Sequence, residues 1–220
     1  MSGTNKIAFI LCTNDRDRKE ECISYLRRLH IPDGMKTEII PVTGKKGLCA
    51  AYQEAMDSSD ARYKVYLHQD TLILARDFLS EMLACFARHP KAGMIGVIGR
   101  KDFQNRERFY QNEPFGALYE TRITETVLYD HYAKKADEPV LYLDGLLMMT
   151  RVDLPWRTDL FHGWHLYDVS QSLEMIRAGY EIYVPYMEKP LVLHDCGLLS
   201  TDDYAKERDL AAAEYREFIP

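Results

Sequence analysis

No CxxC pair, no surplus of positive charge, no apolar run of membrane length and no repeat or low-complexity stretch occurs in the 220-residue sequence. Each absence removes a class of function. The five cysteines, Cys12, Cys22, Cys49, Cys85 and Cys196, are odd in number and widely spaced, which argues against a disulfide framework and a structural zinc site. Buried thiols are the expectation; Cys196, set between Asp195 and Gly197, is the one whose neighbours suit a further role. A net charge of -6 argues against a general nucleic-acid binder, while leaving room for a local basic pocket that holds phosphates. The opening apolar run, residues 7–12, is short and followed at once by charge. Neither a secretory signal nor a membrane span is expected, and the chain reads as cytoplasmic.

With 46% hydrophobic and 28% charged residues, the chain can bury one sizeable core. Residues 6–13, KIAFILCT, are expected to form a strand buried on both faces, broken by Asn14 and Asp15, which suit a helix N-cap. A helix is expected over 18–29, where Cys22, Ile23, Leu26 and Leu29 recur at helical spacing, then a strand over 36–42. The loop TGKKG at 43–47 leads into the helix LCAAYQEAMDSS. Helix N-termini attract anions, but this loop does not match GxxxxGK[ST], and a solvated surface loop is the competing reading. Residues 77–89 read as a helix with Asp77 as N-cap, and 94–99 as one short strand. Strands alternating with helices give a doubly wound α/β pattern, in which ligands sit at the carboxyl ends of the strands.

Residues 63–74, YKVYLHQDTLIL, carry a polar triplet, His68, Gln69 and Asp70, inside an apolar run. With the backbone extended, His68 and Asp70 face one side, and an imidazole beside a carboxylate suits a cation such as Mn²⁺ that holds a diphosphate. A hydrogen-bonded His and Asp ending a strand is the alternative. Residues 101–136 lose periodicity and read as loops with short strands. Their aromatics Phe109, Tyr110, Phe115 and Tyr119 suit an acceptor pocket or, alternatively, core or dimer packing. Residues 140–150, VLYLDGLLMMT, read as a strand interrupted at Asp144-Gly145, where glycine permits close backbone approach. Over 161–180, His162, Trp164, His165, Tyr167 and Asp168 crowd a turn into a helix ending at Gly179, and Asp168 suits an N-cap as well as chemistry. Strands over 181–185 and 191–193, the run His194-Asp195-Cys196-Gly197 and an amphipathic helix over 200–220 complete the reading.

The order of these features resembles the GT-A nucleotide-sugar glycosyltransferases of family 2 and, more narrowly, the StrF-like domain named from a streptomycin-biosynthesis protein. The opening strand with Asn14, LCAAYQEAM, YLHQD, the DG of YLDGLLMMTR, HGWHLYDVSQSLEMIRAGY and the late HDCG carry the resemblance, which spans residues 6–197. It implies a Rossmann-like mixed sheet flanked by helices in one domain over 1–220, with a nucleotide-binding half (1–100), an acceptor and catalytic half (101–200) and a C-terminal helix (201–220).

The resemblance also implies sugar transfer from a nucleoside diphosphate donor to an unknown acceptor, with Mn²⁺ or Mg²⁺ at an Asp-x-Asp position. Here that position reads His68-Gln69-Asp70, so its first carboxylate is absent. Asp70 is kept as a ligand, His68 stands in as a neutral one, and His194 matches a late histidine as a third; the less negative set favours Mn²⁺ over Mg²⁺. Asp168 matches the catalytic base of an inverting displacement, with Tyr167 where the family has another acid. Thr13 and Asn14 are expected near the nucleobase and ribose, Gln69 at the donor, Asp144 and Gly145 near the donor sugar or acceptor, and Lys45 or Lys46 beside the diphosphate. Self-association is open. A binding protein that keeps the fold without the chemistry is the second reading, motivated by His68 and Tyr167; a nucleotidyltransferase is a third, weakened by the lack of a dense carboxylate cluster for two metals.

Overall fold

The alternation of side chains along β1 (Thr4–Cys12) organises the computed structural model, which describes residues 4–44, 46–104, 109–197 and 203–219. Ile7, Phe9 and Leu11 face one hydrophobic cluster and Ile10 and Cys12 another, so the strand is buried on both sides, as its unbroken apolar run requires. β3 (Ala61–His68) repeats the division, with Val65 and Leu67 on the first side and Tyr66 on the second. A parallel register sets Cys12 opposite His68, and β2 (Lys36–Val42) pairs the other edge of β1.

The seven-stranded sheet continues from β3 through β11 (Leu147–Thr150), β5 (Ala92–Gly96), β12 (Glu181–Val184) and β9 (Glu138–Pro139). β11 runs antiparallel to both β3 and β5, which makes the sheet mixed. Helices α1 (Arg16–Leu26) and α3 (Phe78–Arg88) close one face with Leu26, Met82 and Phe86. On the other face α2 (Leu48–Ser58), α4 (Tyr167–Arg177) and α5 (Tyr204–Glu214) contribute Tyr52, Leu173 and Ala211. A second sheet orders β10 (Tyr142–Leu143), β6 (Ile98–Arg100), β7 (Phe115–Arg122), β13 (Val192–Asp195) and β4 (Thr71–Ile73), with β8 (Glu125–His131) pairing β7. The α/β class and the mixed sheet flanked by helices are as expected.

Several local expectations are corrected. The apolar run at 94–99 is not one strand: β5 lies in the first sheet and β6 in the second, parted at Val97. Backbone crowding marks the break, since a Cβ on Gly96 would lie 2.9 Å from the Leu147 carbonyl oxygen. Residues 140–150 likewise divide between sheets, as β10 and β11, with Asp144 and Gly145 in the turn between them. Asp77 stands at the N-cap position of α3 as expected, but its side chain makes no capping hydrogen bond and its carboxylate lies 2.7 Å from His30 Nδ1 instead, whereas Asp15 caps α1 by accepting from the Arg18 amide at 2.9 Å. The segment read as loops with short strands contains the β7–β8 hairpin, whose outer strand is exposed along much of its length. Four cysteines are buried and Cys196 is partly exposed. The tail helix is α5; residues 200–202, expected to begin it, lie outside those described. Among the described residues, no helix is long and apolar enough to cross a membrane.

Candidate active site

Strand pairing assembles the first group of candidate residues. His68 shares a strand face with Tyr66 by the two-residue repeat, and so points toward α4. Residues 69–70 then turn rather than stay extended. The antiparallel pairing of β13 with β4 places His194 opposite Thr71, and the Asp195 amide donates to the Asp70 carbonyl at 2.8 Å. Asp70 Oδ1 consequently lies 4.0 Å from His68 Nδ1 and 3.7 Å from His194 Nε2.

The donor set fits a divalent cation. Among the described residues Asp70 Oδ1 and His194 Nδ1 are buried without a hydrogen-bond partner, and an unsatisfied buried carboxylate oxygen facing two imidazoles is costly unless something positive joins it. The three side chains offer ligand atoms all within 4.8 Å of one another. Burial pushes the His68 imidazole below its usual range despite the pull of Asp70, which favours the neutral form that ligates. Its Nε2 sits 2.6 Å from the Tyr167 hydroxyl, leaving Nδ1 toward Asp70.

The second group gathers at the start of α4. Leu166 takes a left-handed φ of 54° ahead of the helix, so Asp168 is a first-turn residue and not the N-cap. Its Oδ1 accepts from the Tyr110 hydroxyl at 2.6 Å and the Val169 amide at 2.8 Å, and its Oδ2 from the Gly145 amide at 2.7 Å. Burial, and then the nearby Asp144 carboxylate, push the Asp168 carboxyl up to about 6. Asp144 is more exposed; it accepts from the Leu146 amide at 3.3 Å and lies 3.8 Å from Nη1 of Arg100. Gly145 packs so closely under the Tyr167 hydroxyl that a Cβ there would overlap it.

The remaining candidates form a rim. Gln69 Oε1 accepts from the Asn14 amide at 3.1 Å and the Asp15 amide at 3.0 Å, while its Nε2 donates to Asn14 Oδ1. Thr13 is buried, its amide donating to the Val42 carbonyl at 2.8 Å. Lys46 stands apart from the cation triad, exposed in a cleft between β2 and α2 that Ile40, Thr43 and Glu54 also line; Lys45 lies outside the described residues. The loop beside it is pressed against the segment before α4, since a Cβ on Gly44 would lie 2.7 Å from the Trp164 ring.

The structure thus brings together His68, Asp70 and His194, and separately Asp144, Gly145 and Asp168, with Tyr167 touching both groups. Sequence reasoning missed Tyr110 as the partner of Asp168 and did not single out Arg100, whose Nη1 is buried without a hydrogen bond among the described residues. Arg100 carried a usable signal, a charge ending an apolar strand as in YLHQD. Tyr110 stood out as a pocket or packing aromatic, and nothing in its aperiodic segment pointed to Asp168.

Comparison with known proteins bears on this arrangement. Residues 8–215 match the family described as glycosyltransferase-like. A mannosyltransferase from Pyrobaculum calidifontis, solved in complex with GDP-Man and Mn²⁺, superposes with a TM-score of 0.57 at 15% identity, over 96% of this chain and 64% of its own. The S. aureus TarS fragment 1–349 in complex with UDP gives 0.58 at 11% identity, over 95% of this chain and 65% of its own. The catalytic domain of Drosophila β1,4-galactosyltransferase 7, in complex with xylobiose, gives 0.53 at 12% identity over 92% of this chain and 79% of its own. These likenesses are of fold, the GT-A type. The chain spans somewhat less than two thirds of the first two structures. Among curated proteins no match is found.

Proposed function

Because the chain belongs to the glycosyltransferase-like family, we propose that it transfers a sugar from a nucleoside diphosphate donor to a hydroxyl-bearing acceptor, with inversion at the anomeric carbon. The observation that carries this reading is the link between the two groups: Tyr167 bonds His68 of the cation triad, and the next residue is Asp168. His68, Asp70 and His194 would hold the divalent ion. When bound, that ion neutralises charge developing on the departing diphosphate. The GDP-Man, Mn²⁺ and UDP of the structural neighbours support a nucleotide donor and Mn²⁺ ahead of Mg²⁺, as two imidazoles beside one carboxylate also do.

Asp168 acts as general base. A carboxylate has about four lone-pair sites, and Tyr110, Val169 and Gly145 fill three of them, leaving one for the acceptor hydroxyl. Those donors fix the carboxylate's orientation, which is what proton removal in a single displacement requires. Asn14 and Thr13 border the nucleoside, with Gln69 holding that loop to the triad, and Asp144 with Gly145 borders the sugar; Lys46, in its own cleft between β2 and α2, takes no part in this arrangement. On this reading residues 1–100 serve the donor and 101–200 the acceptor, within one domain of StrF-like type.

Calorimetry with UDP, GDP and their sugars, with Mn²⁺ or Mg²⁺, is the direct test, followed by product assays on donors that bind. Failure of every donor to bind under any metal condition ends the reading. Binding without turnover across a broad acceptor panel favours the second reading, a nucleotide-sugar binding protein, to which the 4% exposure of Asp168 lends support.

A further inference from the structure

A second set of ligand-bearing side chains shares one residue with the cation triad. Glu120 on β7, His194 on β13 and Cys196 just beyond it offer atoms that all lie within 4.8 Å of one another. The parallel register sets His194 opposite Glu120, so both leave the sheet on one face. Cys196, alone among the five cysteines in not being buried, makes long sulfur contacts among the described residues, 3.6 Å to the Thr121 carbonyl and 3.9 Å to that of Gly197. Arg122 donates to Oε1 of Glu120 at 2.5 Å from a side chain that is 57% exposed, while the Glu120 side chain is 15% exposed, and a lone contact from a solvent-facing arginine is weak competition for a metal cation.

A cluster of similar composition shows what a closed set looks like. Cys85, His89 and Asp137 also lie together, but Arg88 donates to both Asp137 oxygens, at 2.8 and 3.0 Å. The Tyr186 amide and His89 each add a contact at 2.8 Å. A cation there would have to expel a bidentate guanidinium from a buried carboxylate. At Glu120 the one contact among the described residues comes from an exposed arginine, and His194 brings a buried nitrogen, Nδ1, that has no hydrogen bond among them.

We propose that Glu120, His194 and Cys196 form a second metal site, for a thiophilic divalent cation such as Zn²⁺, that draws on the same histidine as His68 and Asp70. Carboxylate, imidazole and thiolate are a donor set that zinc accepts, with a fourth position left for water. As the sulfur–metal bond forms, the thiol proton passes to solvent. A neutral imidazole has one lone pair, so His194 serves one cation at a time. A soft ion anchored by Cys196 therefore removes a ligand from the triad and opposes Mn²⁺ binding there. The second site stands on its own geometry; only the competition rests on the triad holding a metal.

Cobalt(II) titration of the whole protein tests the site, because a cobalt–thiolate bond gives a near-ultraviolet charge-transfer band that oxygen and nitrogen ligands do not. The band is expected in the wild type and in Asp70→Asn, and lost in Cys196→Ser and His194→Ala, with melting temperatures showing that each variant is folded. No band at saturating Co²⁺, or a band that survives Cys196→Ser, overturns the site. Sharing is read by electron paramagnetic resonance of Mn²⁺. Because Zn²⁺ also outcompetes Mn²⁺ at the triad itself, the measure is the Zn²⁺ concentration that releases half of the Mn²⁺: several-fold lower in the wild type than in Cys196→Ser, with equal concentrations overturning the shared histidine. A wild type that shows the cobalt band yet binds no Mn²⁺ keeps the second site and sinks the triad, whatever its transfer activity.

Discussion

The phenolic oxygen of Tyr167 lies 2.6 Å from Nε2 of His68. With Nε2 so engaged, Nδ1 is the nitrogen left to ligate, and the tyrosine fixes both ring orientation and tautomer. Removal of such a partner typically weakens metal binding roughly 10–100-fold. Tyr167→Phe keeps the ring that packs on Tyr52 and Trp156, so the protein should remain folded while its Mn²⁺ affinity falls by that factor. Unchanged Mn²⁺ affinity would show that His68 is not a ligand.

Asp168→Asn should lower transfer by about 10²–10⁴-fold, the usual contribution of a general base. Donor affinity, measured by calorimetry, should stay within a few-fold of wild type, since Asp168 bonds Tyr110 and backbone amides and not the cation triad. A large loss of donor binding with little loss of turnover would assign the residue to the donor instead.

The raised Asp168 carboxyl, pushed up to about 6, sets a pH dependence. The base works ionised, so kcat/KM should be level above pH 6 and fall about tenfold per unit below it. Stability runs in the opposite sense. The folded state holds this proton at pH values where the unfolded carboxyl, near about 3.9, has lost it. The stabilisation is full below about 4 and is lost as pH rises through about 6. A profile with no break near 6 would remove Asp168 from the proton transfer.

Gly145→Ala tests the junction. The added methyl would overlap the Tyr167 hydroxyl and disturb the amide that donates to Asp168, so Mn²⁺ binding and transfer should fall together. Small-to-large changes in packed sites typically cost about 1–3 kcal/mol, and a lowered melting temperature is expected as well. An alanine variant with normal metal binding would mean that Tyr167 has room to move.

Gln69→Ala removes the acceptor that holds the Asn14 and Asp15 amides. Each bond contributes about 0.5–1.5 kcal/mol, so the loop after β1 should loosen and the donor KM rise several-fold with kcat nearly unchanged. Equal losses in both parameters would argue that Gln69 serves the chemical step.

Much of the scaffold was readable because β1 and β3 are buried on both faces, and a short unbroken apolar run ending in polar residues is the pattern such a strand requires. The same signal drew attention to His68 and Asp70. The meeting of Asp70 with His194 was not readable from spacing, since it depends on β13 pairing with β4 far along the chain. The β7–β8 hairpin escaped because residues such as Glu125, Thr126 and Leu128 point into solvent, which blurs the apolar alternation that identifies strands. Tyr110 was legible as a pocket or packing aromatic but not as the partner that holds Asp168 in one orientation.

The reversed direction of β11 governs where this chain tolerates added length. Running against β3, it pairs Leu147 with Leu67, so Asp144 and Gly145 reach Asp168 at the start of α4 on the short turn from Leu143 rather than on a long crossover. Residues spliced into that turn would displace Tyr167 and Asp168 together. At the β7–β8 bend, where Ile123 is 69% exposed, the backbone carries no such duty. An affinity tag, fluorophore or reporter peptide belongs at that bend, and a library that varies loop length should leave the stretch from Leu143 to Leu147 untouched.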